Sequence, residues 1–252
     1  MPLPNTPSFR LDGKRALVAG GSRGIGFGCA VALAEAEAHV IIAARGATQV
    51  QAAVDEMAEN GLSAEALVLD VTDISAVRAA VTAHRPIDIL VNSAGLARHS
   101  PALETSPEDF DVVSEINIKA AYFLAQAVAQ QMVGRGGAII QISSQMAHVG
   151  GIERAVYCAT KHAVEGMTKA MAIEWGPENI RVNTICPTFI LTELSKPTFA
   201  DPEKRAWIES KIKLPRVGEV KDIMGACLFL ASDASALVTG TSLLVDGGWT
   251  AG

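Results

Sequence analysis

The sequence predicts an α/β fold, in which one doubly wound parallel sheet of about seven strands carries helices on both faces. Two observations predict it. Short apolar runs alternate with longer helical patterns along all 252 residues, an order that produces right-handed crossovers and a parallel sheet. Most of these runs are nearly continuous in Val, Ile and Leu, as strands that are covered on both faces require.

The elements follow in chain order. The predicted strands are 15–19, 40–44, 66–69, 87–92, 138–143, 181–185 and 242–245. The predicted helices are 24–36, 47–60, 74–84, 107–133, 155–176 and 220–231. The longest segment without a predicted strand follows residue 187 and contains a helical stretch at 202–213, and connections of this length usually serve function. We therefore expect one domain, 1–252, with a substrate lid at about 188–218.

Composition excludes several classes of protein. With 49% hydrophobic residues and a net charge of −6, the chain is too apolar for disorder, and it lacks the basic surplus of a nucleic-acid-binding protein. Its first residues contain prolines and charges instead of a signal peptide's apolar run, and no stretch reaches ~18 apolar residues. Four cysteines without a CxxC pair or a histidine cluster predict buried thiols and no metal site. We expect a cytoplasmic protein.

A glycine-rich turn lies between the first predicted strand and the first helix. Glycines occupy positions 20, 21, 24, 26 and 28. Glycine permits a tight turn there and lets a diphosphate approach the backbone, while the helix N-terminus offers free N–H groups. In this βαβ context the turn predicts a Rossmann-type dinucleotide site, although G-x-G-x-x-G is not met literally.

The end of the second strand indicates which dinucleotide binds. An acidic residue there would bind the ribose 2′-hydroxyl, whereas an arginine accommodates a 2′-phosphate. The strand ends at Arg45, positions 43–46 contain no acid, and Arg23 in the turn adds a second positive charge. We expect NADP(H), with NAD(H) as the alternative if both arginines are ordinary surface residues.

The next two strands end in residues suited to the adenosine half of the ligand. Ligands in such sheets bind beyond the carboxyl ends of the strands. Asp70, which precedes Val71, can accept from the adenine amino group; its alternative role is to cap the next helix, as Thr72 also could. The fourth strand ends in Asn92, Ser93, Ala94 and Gly95, and the small residues at 93–95 let adenosine lie against the chain.

A serine, a tyrosine and a lysine follow the fifth strand. Tyr157 lies thirteen positions after Ser144, and Lys161 lies four positions after Tyr157, so the last two share one helix face. An ammonium group beside a phenol favours the phenolate, which can exchange a proton with a carbonyl or alcohol oxygen. A serine hydroxyl can hold the same oxygen. The pattern indicates hydride-transfer chemistry, although a Tyr-x-x-x-Lys pair alone is common.

Taken together, these motifs resemble the classical short-chain dehydrogenase/reductase family over essentially the whole chain. The matching positions, in order, are Gly20, Gly24, Ile25, Gly26, Asp70, Val71, Asn92–Gly95 as numbered above, Asn117, Ser144, Tyr157, Lys161, Asn183, Pro187, 238–240 and 245–248. Individually the motifs are weak to moderate signals. Their shared order and spacing make the resemblance specific.

The resemblance implies a role for each matched residue. Tyr157 is the implied acid/base and Ser144 orients the substrate oxygen. Lys161 lowers the tyrosine pKa and binds the nicotinamide ribose, and the Asn117 carbonyl holds a relay water. The implied cofactor-binding set is Gly20, Ser22, Arg23, Gly24, Ile25, Gly26, Arg45, Asp70, Val71, Asn92, Ala94, Gly95, Tyr157, Lys161, Pro187, Ile190 and Thr192. The family usually forms homotetramers through the helix ending near Val133 and the helix that carries the tyrosine.

The chain departs from the family pattern at three positions. Ala19 replaces a threonine before the first glycine, which we expect to loosen the turn. Thr188 follows Pro187 where glycine is commoner, so we expect a different backbone path there. Glu37 stands where the first helix usually ends in glycine; because a left-handed non-glycine residue costs about 1 kcal/mol, we expect a different helix end.

The substrate is less well defined by the sequence. Arg98, His99, Gln145 and Arg154 are expected near the nicotinamide and form a polar, basic set. They suit a small polyol, sugar acid or keto compound that undergoes alcohol–ketone interconversion, unless they are simply surface charges. A 3-oxoacyl thioester reductase is the alternative within the same chemistry. A non-catalytic nucleotide-sensing protein is the alternative of another class.

Overall fold

Seven parallel strands form the central sheet of the computed structural model, which describes residues 3–84 and 86–252. The strands are β1 (Arg15–Ala19), β2 (His39–Ala44), β3 (Ala64–Val68), β4 (Ile89–Asn92), β5 (Gly137–Ile142), β6 (Ile180–Pro187), β7 (Ile190–Leu191), β8 (Gly218–Glu219) and β9 (Ser242–Val245). The sheet order is β3-β2-β1-β4-β5-β6-β9, and β7 pairs with β8 separately. The predicted seven-stranded, doubly wound sheet is confirmed.

The strand order reverses direction at β1, and this reversal places the ligand crevice. β1 pairs in parallel with β2 on one side and with β4 on the other. The chain therefore runs from β1 through β2 and β3 towards one edge of the sheet, and then crosses back to add β4 and the later strands on the other side of β1. In sheets of this kind, ligands bind beyond the carboxyl ends of the strands, where the order switches.

Helices cover both faces of the sheet and bury two separate apolar cores. They are α1 (Gly24–Glu35), α2 (Ala47–Glu59), α3 (Ile74–Ala83), α4 (Pro107–Ser114), α5 (Ala121–Met132), α6 (Ala155–Trp175), α7 (Lys196–Ala200), α8 (Pro202–Lys211) and α9 (Val220–Ala231). On one face, α1, α2 and α9 pack against alternate strand residues. On the other, α3, α5 and α6 pack against the residues between them. The all-apolar strand pattern is explained by this double cover.

The segment 107–133, predicted as one helix, is interrupted. Ser106 caps α4 by accepting a hydrogen bond from the Asp109 backbone N–H at 3.1 Å, and Pro107 occupies the first turn. A π-helical segment, Glu115–Ala120, then separates α4 from α5. The prediction of a continuous helix was wrong because apolar spacing does not reveal one wider turn, a feature that often marks functional sites.

The end of α1 also differs from expectation. Glu37 adopts the left-handed conformation, with φ of 77°. Its N–H donates to Ala34 at 2.9 Å, and the N–H of Ala38 donates to Leu33 at 3.0 Å. These two bonds form a Schellman motif with glutamate at the position that glycine usually holds. The expectation of a different helix end was therefore wrong, and Glu37 bears the strain.

The 188–218 segment is more structured than predicted. Besides α8, which matches the expected helical stretch, it contains α7 and the strand β7. A third apolar cluster joins it to the rest of the molecule, with Phe199, Ile208 and Ile212 packed against Met146 and Trp249. All four cysteines are buried and free. No helix among the described residues is long and apolar enough to cross a membrane.

Candidate active site

A cavity of about 670 Å³ lies along the carboxyl ends of the strands, within the usual size range of ligand pockets. The residues after five strands and the end of β6 line it, among them Gly20, Arg45, Asp70, Ala94, Ser144 and Pro187. The parallel topology therefore brings the predicted nucleotide and chemical residues to one edge of the sheet.

The glycine-rich turn is closely packed beneath the cavity. Gly20 has φ of 72°, and a Cβ there would lie 2.8 Å from the Ala94 nitrogen; a Cβ on Gly26 would lie 2.2 Å from the Gly20 oxygen. The N–H of Gly20 donates to Ala43 at 2.8 Å. The backbone thus holds the turn even though Ala19 supplies no hydroxyl, and only glycine fits at positions 20 and 26.

The residues present fit a dinucleotide. Ser22, Arg23, Gly24 and Ile25 line the cavity at the start of α1, where free N–H groups favour a phosphate. At the other end of the cavity, the Thr188 hydroxyl is buried and has no hydrogen-bond partner among the described residues. A buried hydroxyl without a protein partner at a cavity wall indicates a polar ligand there.

The adenosine end contains Arg45, which is exposed, and Asp70, which is held in place. The Asp70 carboxylate accepts from the backbone N–H of Thr72 at 3.0 Å and from its hydroxyl at 2.8 Å. These hydrogen bonds lower the pKa of Asp70. The cap of α3 is instead Asp73, which accepts from the Ala76 N–H at 2.9 Å. The alternative of Asp70 or Thr72 as this cap is therefore wrong.

Most of the predicted cofactor positions line the cavity: Gly20, Ser22, Arg23, Gly24, Ile25, Arg45, Asp70, Val71, Ala94, Gly95, Tyr157, Lys161, Pro187 and Thr192. The other three lie behind its wall. Gly26 packs on the turn, and Ile190 is buried in the core. Asn92 donates to Gln141 at 2.8 Å and accepts from the Ala94 N–H at 3.2 Å, so its side chain holds the end of β4.

Ser144, Tyr157 and Lys161 meet at the inner end of the cavity. The Lys161 ammonium lies 5.7 Å from the centre of the Tyr157 ring and donates to the Ile142 carbonyl at 2.8 Å. Burial lowers the pKa of Lys161 to about 8, so the amine is mainly charged at pH 7. Burial also raises the pKa of Tyr157, and the neighbouring Ser144 hydroxyl acts in the opposite direction. The phenol is thus protonated at neutral pH.

The Ser144 hydroxyl has two fixed partners. It donates to the Gln145 side chain at 2.8 Å and accepts from the Met146 backbone N–H at 3.1 Å. Gln145, which the sequence placed near substrate, is only 2% exposed. Its contact with Ser144 orients the hydroxyl instead of reaching the open cavity.

Asn117 lies in the π-helical segment and is 2% exposed. Its side chain accepts from the Leu96 N–H and donates to the Leu96 carbonyl, both at 2.8 Å. It also donates to the Thr160 hydroxyl at 3.1 Å, and that hydroxyl donates to the Tyr157 carbonyl at 2.8 Å. Asn117 therefore ties the turn after β4 to the helix that carries the tyrosine.

The remaining predicted substrate residues surround Tyr157. Arg98 lines the cavity and lies 3.7 Å from Asp109. The His99 ring meets the Tyr157 ring edge to face, 6.3 Å between centres. The Arg154 guanidinium lies 5.6 Å from the Phe189 ring centre. His99 and Arg154 are beside Tyr157 but are not part of the cavity lining.

Sequence reasoning missed two groups of residues here. Val112 and Ile116, from α4 and the π-helical segment, line the cavity. Phe189 stacks on Trp249 with 5.6 Å between ring centres, and Trp207 meets both rings at an angle. The interrupted helix hid the first group. The aromatic residues are too far apart in sequence to form a pattern.

Three potential metal ligands also lie close together. The ligand atoms of His148, Glu165 and Cys186 lie within 4.8 Å of one another, although the sequence predicted no metal residues. The buried Glu165 carboxylate already accepts from the Thr184 hydroxyl at 3.0 Å, from the Cys186 thiol at 3.3 Å and from the Ser242 hydroxyl. Protein donors therefore satisfy this carboxylate without an ion.

The sheet, the glycine-rich turn and the Ser–Tyr–Lys group define a dinucleotide-dependent oxidoreductase. A family profile described as enoyl-(acyl carrier protein) reductase matches residues 19–250. D-erythrulose reductase of Gallus gallus is 40% identical over 245 residues, covering 96% of this chain and 98% of that protein. The chain belongs to the short-chain dehydrogenase/reductase family.

Two further similarities span nearly the whole chain. Gluconate 5-dehydrogenase of Gluconobacter oxydans is 40% identical over 247 residues, covering 96% of both chains. The crystal structure of a gluconate 5-dehydrogenase from Burkholderia cenocepacia, in complex with NADP and tartrate, superposes with a TM-score of 0.93. It is 38% identical and covers 97% of this chain and 98% of its own.

Proposed function

We propose that the protein is an NADP(H)-dependent oxidoreductase that interconverts a secondary alcohol and a ketone in a small polyol or sugar acid. The observation that carries the proposal is the meeting of Ser144, Tyr157 and Lys161 at the cavity that the glycine-rich turn lines. Similarity to proteins named for erythrulose and gluconate supports a small hydroxylated substrate.

The cofactor assignment rests on the polar lining of the cavity. The start of α1 would hold the diphosphate, Arg23 and Arg45 the 2′-phosphate, and Asp70 the adenine. Lys161 would hold the nicotinamide ribose. By family resemblance, Ile190 and Thr192 would contact the nicotinamide carboxamide and Pro187 would lie beside the cofactor, although Ile190 is buried behind the cavity wall. When bound, the nicotinamide supplies or accepts the hydride.

Arg45→Asp tests the choice of cofactor. We expect NADP binding to weaken by about 10- to 100-fold because a charge-assisted contact to phosphate is lost. NAD binding should hold or improve, since aspartate can accept from the ribose 2′-hydroxyl. Titration calorimetry with both nucleotides measures the two constants. Arg78→Asp on α3, an equal charge change at an exposed site, should alter neither. Equal loss of both affinities in Arg45→Asp would contradict the 2′-phosphate role.

The proposed mechanism follows from the protonation states. In the reduction direction, the neutral Tyr157 phenol donates its proton to the substrate carbonyl oxygen as hydride arrives at carbon. The Ser144 hydroxyl accepts from the Met146 N–H, and its single proton turns from the Gln145 side chain to the same substrate oxygen. In the oxidation direction, Tyr157 must first lose its proton, and the nearby Lys161 charge favours the phenolate. Oxidation should therefore accelerate as pH rises towards 8, above which Lys161 loses the charge that favours the phenolate, whereas reduction should not accelerate.

Tyr157→Phe tests the proposed function directly. Removing the proton donor should lower kcat by about 10²- to 10⁴-fold, because hydride transfer to a carbonyl then lacks an acid. NADP binding should stay within a few-fold of the wild type. Tyr122→Phe, at the other tyrosine, removes an exposed hydroxyl and should leave turnover unchanged. Turnover that survives in Tyr157→Phe would overturn the assignment.

The two alternatives give different results in the same assay. A panel of polyols, sugar acids and a 3-oxoacyl thioester, followed by NADPH absorbance at 340 nm in both directions, separates polyol chemistry from thioester reduction. A nucleotide sensor would bind NADP without turning over any of them. The complete Ser–Tyr–Lys group favours catalysis over sensing.

We also infer a cytoplasmic homotetramer of single-domain subunits, each 1–252 with a lid at about 188–218. The family resemblance supports the tetramer, and apolar side chains on the helices implicated in assembly are exposed. Tyr122 on α5 is 38% exposed and Ile173 on α6 is 79% exposed. The packing of Phe199 and Ile208 against Met146 supports one domain, because it joins the lid to the loop after Ser144.

A further inference from the structure

Arg154 is a cation placed beside the reacting group. It precedes α6 as its N-terminal cap residue, three positions before Tyr157. Its side chain is partly buried, whereas most arginine side chains are solvated. The guanidinium is close enough to act on Tyr157: burial raises the pKa of the phenol, and the Arg154 charge acts in the opposite direction.

The guanidinium is held by contacts that leave its charge unneutralised. It lies over the Phe189 ring at 5.6 Å and donates to the Ile152 carbonyl at 2.8 Å. Phe189 is in turn fixed by stacking on Trp249. A cation on an aromatic face next to a carbonyl is oriented but keeps free N–H donors, because guanidinium has five of them.

Neighbouring cations are paired, but Arg154 is not. Arg98 lies 3.7 Å from Asp109, and Lys196 forms an ion pair with Glu193. Arg154 takes part in none of the ion pairs formed within residues 3–84 and 86–252. The adjacent acid, Glu153, is exposed.

His99 supplies a second group at the same place. Its ring contacts the Tyr157 ring, and partial burial together with the Arg154 charge lowers the pKa of His99. The imidazole is therefore neutral at pH 7 and can hydrogen-bond a hydroxyl. The Arg154 cation can bind a carboxylate, and the neutral His99 ring can donate to or accept from a hydroxyl. Together they suit a molecule that carries both groups.

We propose that Arg154 binds the carboxylate of the substrate, and that the enzyme prefers sugar acids to neutral polyols. This rests on the proposed function, since it assigns the far end of a substrate whose reacting carbon lies at Tyr157 and Ser144. A carboxylate accepts two parallel N–H bonds from a guanidinium. A neutral polyol would leave the cation without a counter-charge.

The test compares a matched substrate pair, D-gluconate and D-glucitol, which differ in one terminal group. We expect the wild type to oxidise gluconate with a kcat/KM at least 10-fold above that for glucitol. Arg154→Gln should lower kcat/KM for gluconate by about 10- to 100-fold, mainly through KM, and change that for glucitol less than 3-fold. Arg154→Lys should recover part of the loss, since lysine keeps the charge without the bidentate geometry.

Control measurements separate a local effect from a folding defect. Arg205→Gln removes an exposed arginine that pairs with Glu209 on α8, and it should leave both substrates unaffected. The NADP affinity of Arg154→Gln should match the wild type, because Arg154 lies outside the lining of the nucleotide cavity. Its melting temperature should fall by no more than about 2–4 °C, because the lost contact with the Phe189 ring is worth about 1 kcal/mol or less.

The possible outcomes separate the carboxylate role of Arg154 from the proposed function. If the wild type turns over members of the polyol and sugar-acid panel but prefers the neutral ones, or if Arg154→Gln lowers both members of the pair equally, the carboxylate role is overturned and the proposed function stands. If the wild type turns over no polyol or sugar acid, the proposed function is overturned and the carboxylate role with it. A selective loss of gluconate turnover supports both.

Discussion

Lys161 is buried to 7% exposure, and its ammonium has one protein hydrogen bond, to the Ile142 carbonyl. Burial lowers its pKa from 10.5 to about 8, and the nearby Glu165 and Cys186 act in the opposite direction. A depressed pKa in a base means that folding disfavours the charged form. Lys161, which the proposed chemistry requires, therefore destabilises the protein without its ligand.

The consequence for stability has a definite pH dependence. Below pH 8 the amine is charged in both states, so the full penalty, about 3 kcal/mol, opposes folding. Between pH 8 and 10.5 the folded state loses its proton first, so the free energy of unfolding rises with pH. Above pH 10.5 the amine is neutral in both states and the penalty is gone.

Lys161→Met should therefore be inactive but more stable. At pH 7 we expect the free energy of unfolding to rise by about 2 kcal/mol, since the penalty is removed and one hydrogen bond of about 1 kcal/mol is lost. Urea unfolding of the ligand-free protein, at pH 7 and pH 10 and one protein concentration, measures it. The advantage should shrink at pH 10. Lys169→Met, at an exposed lysine on the same helix, should change stability by less than about 0.5 kcal/mol. An unchanged or lower stability of Lys161→Met at pH 7 would contradict the account.

At the residue scale, sequence spacing identified Ser144, Tyr157 and Lys161 because the helix period places the last two on one face. It did not reveal that Gln145 turns inward to Ser144 or that Phe189 supports Arg154. Such contacts join residues on different elements, and their geometry depends on how those elements pack.

At the scale of the elements, the C-terminal end of α1 holds the exposed residue Glu37 in a strained backbone conformation. Glu37 adopts φ of 77° to close the Schellman motif, and within the described part of the chain its only ion-pair contact is with exposed Arg10 at 3.7 Å. Exposed pairs of this kind contribute little. The motif needs only the backbone of residue 37, so the side chain adds strain without an offsetting contact.

Glu37→Gly should increase stability by about 1 kcal/mol, because glycine adopts the left-handed conformation freely. For a chain of this length that corresponds to roughly 2–4 °C in Tm, measurable by thermal denaturation. Glu35→Gly makes the same chemical change inside α1 and should lower stability by about 1 kcal/mol. If both variants lose stability alike, residue 37 is not strained.

The predicted strands and most helices appear close to their expected positions, because double burial and amphipathic spacing are properties of the local sequence. The break between α4 and α5 could not be predicted in this way. A π-helical turn satisfies its backbone with i→i+5 hydrogen bonds and needs no distinctive residue. The pairing of β7 with β8 was also missed, since each strand has only two residues.

On the scale of the whole molecule, the buried apolar residues form three clusters. Two lie on opposite faces of the sheet, and the third joins the 188–218 segment to the loop after Ser144. The sheet order was predictable in kind because the alternation of elements imposes it. The third cluster was not, since it joins residues distant in sequence, such as Met146 and Trp249.

We expect the native molecule to sediment as four chains of 26.3 kDa each. Ile173→Asp should shift it to smaller species, because burying an unpaired carboxylate in an apolar interface is costly. Sedimentation velocity at several concentrations measures both. Leu237→Asp is the matched control, because this fully exposed leucine lies outside α5 and α6. It should leave the mass of the assembly unchanged. A wild-type monomer would contradict the proposed assembly.

The π-helical segment has a consequence for insertions and deletions. One additional residue per turn rotates everything that follows by about 100°. The buried face of α5 is therefore rotated relative to that of α4, and its residues Leu124 and Val128 pack in the core on one face of the sheet. If one residue were deleted from Glu115–Ala120, the helix could not both bury Leu124 and Val128 and keep the hydrogen bond between Asn117 and Leu96. Substitutions at exposed positions of this helix should therefore be tolerated better than a change in its length.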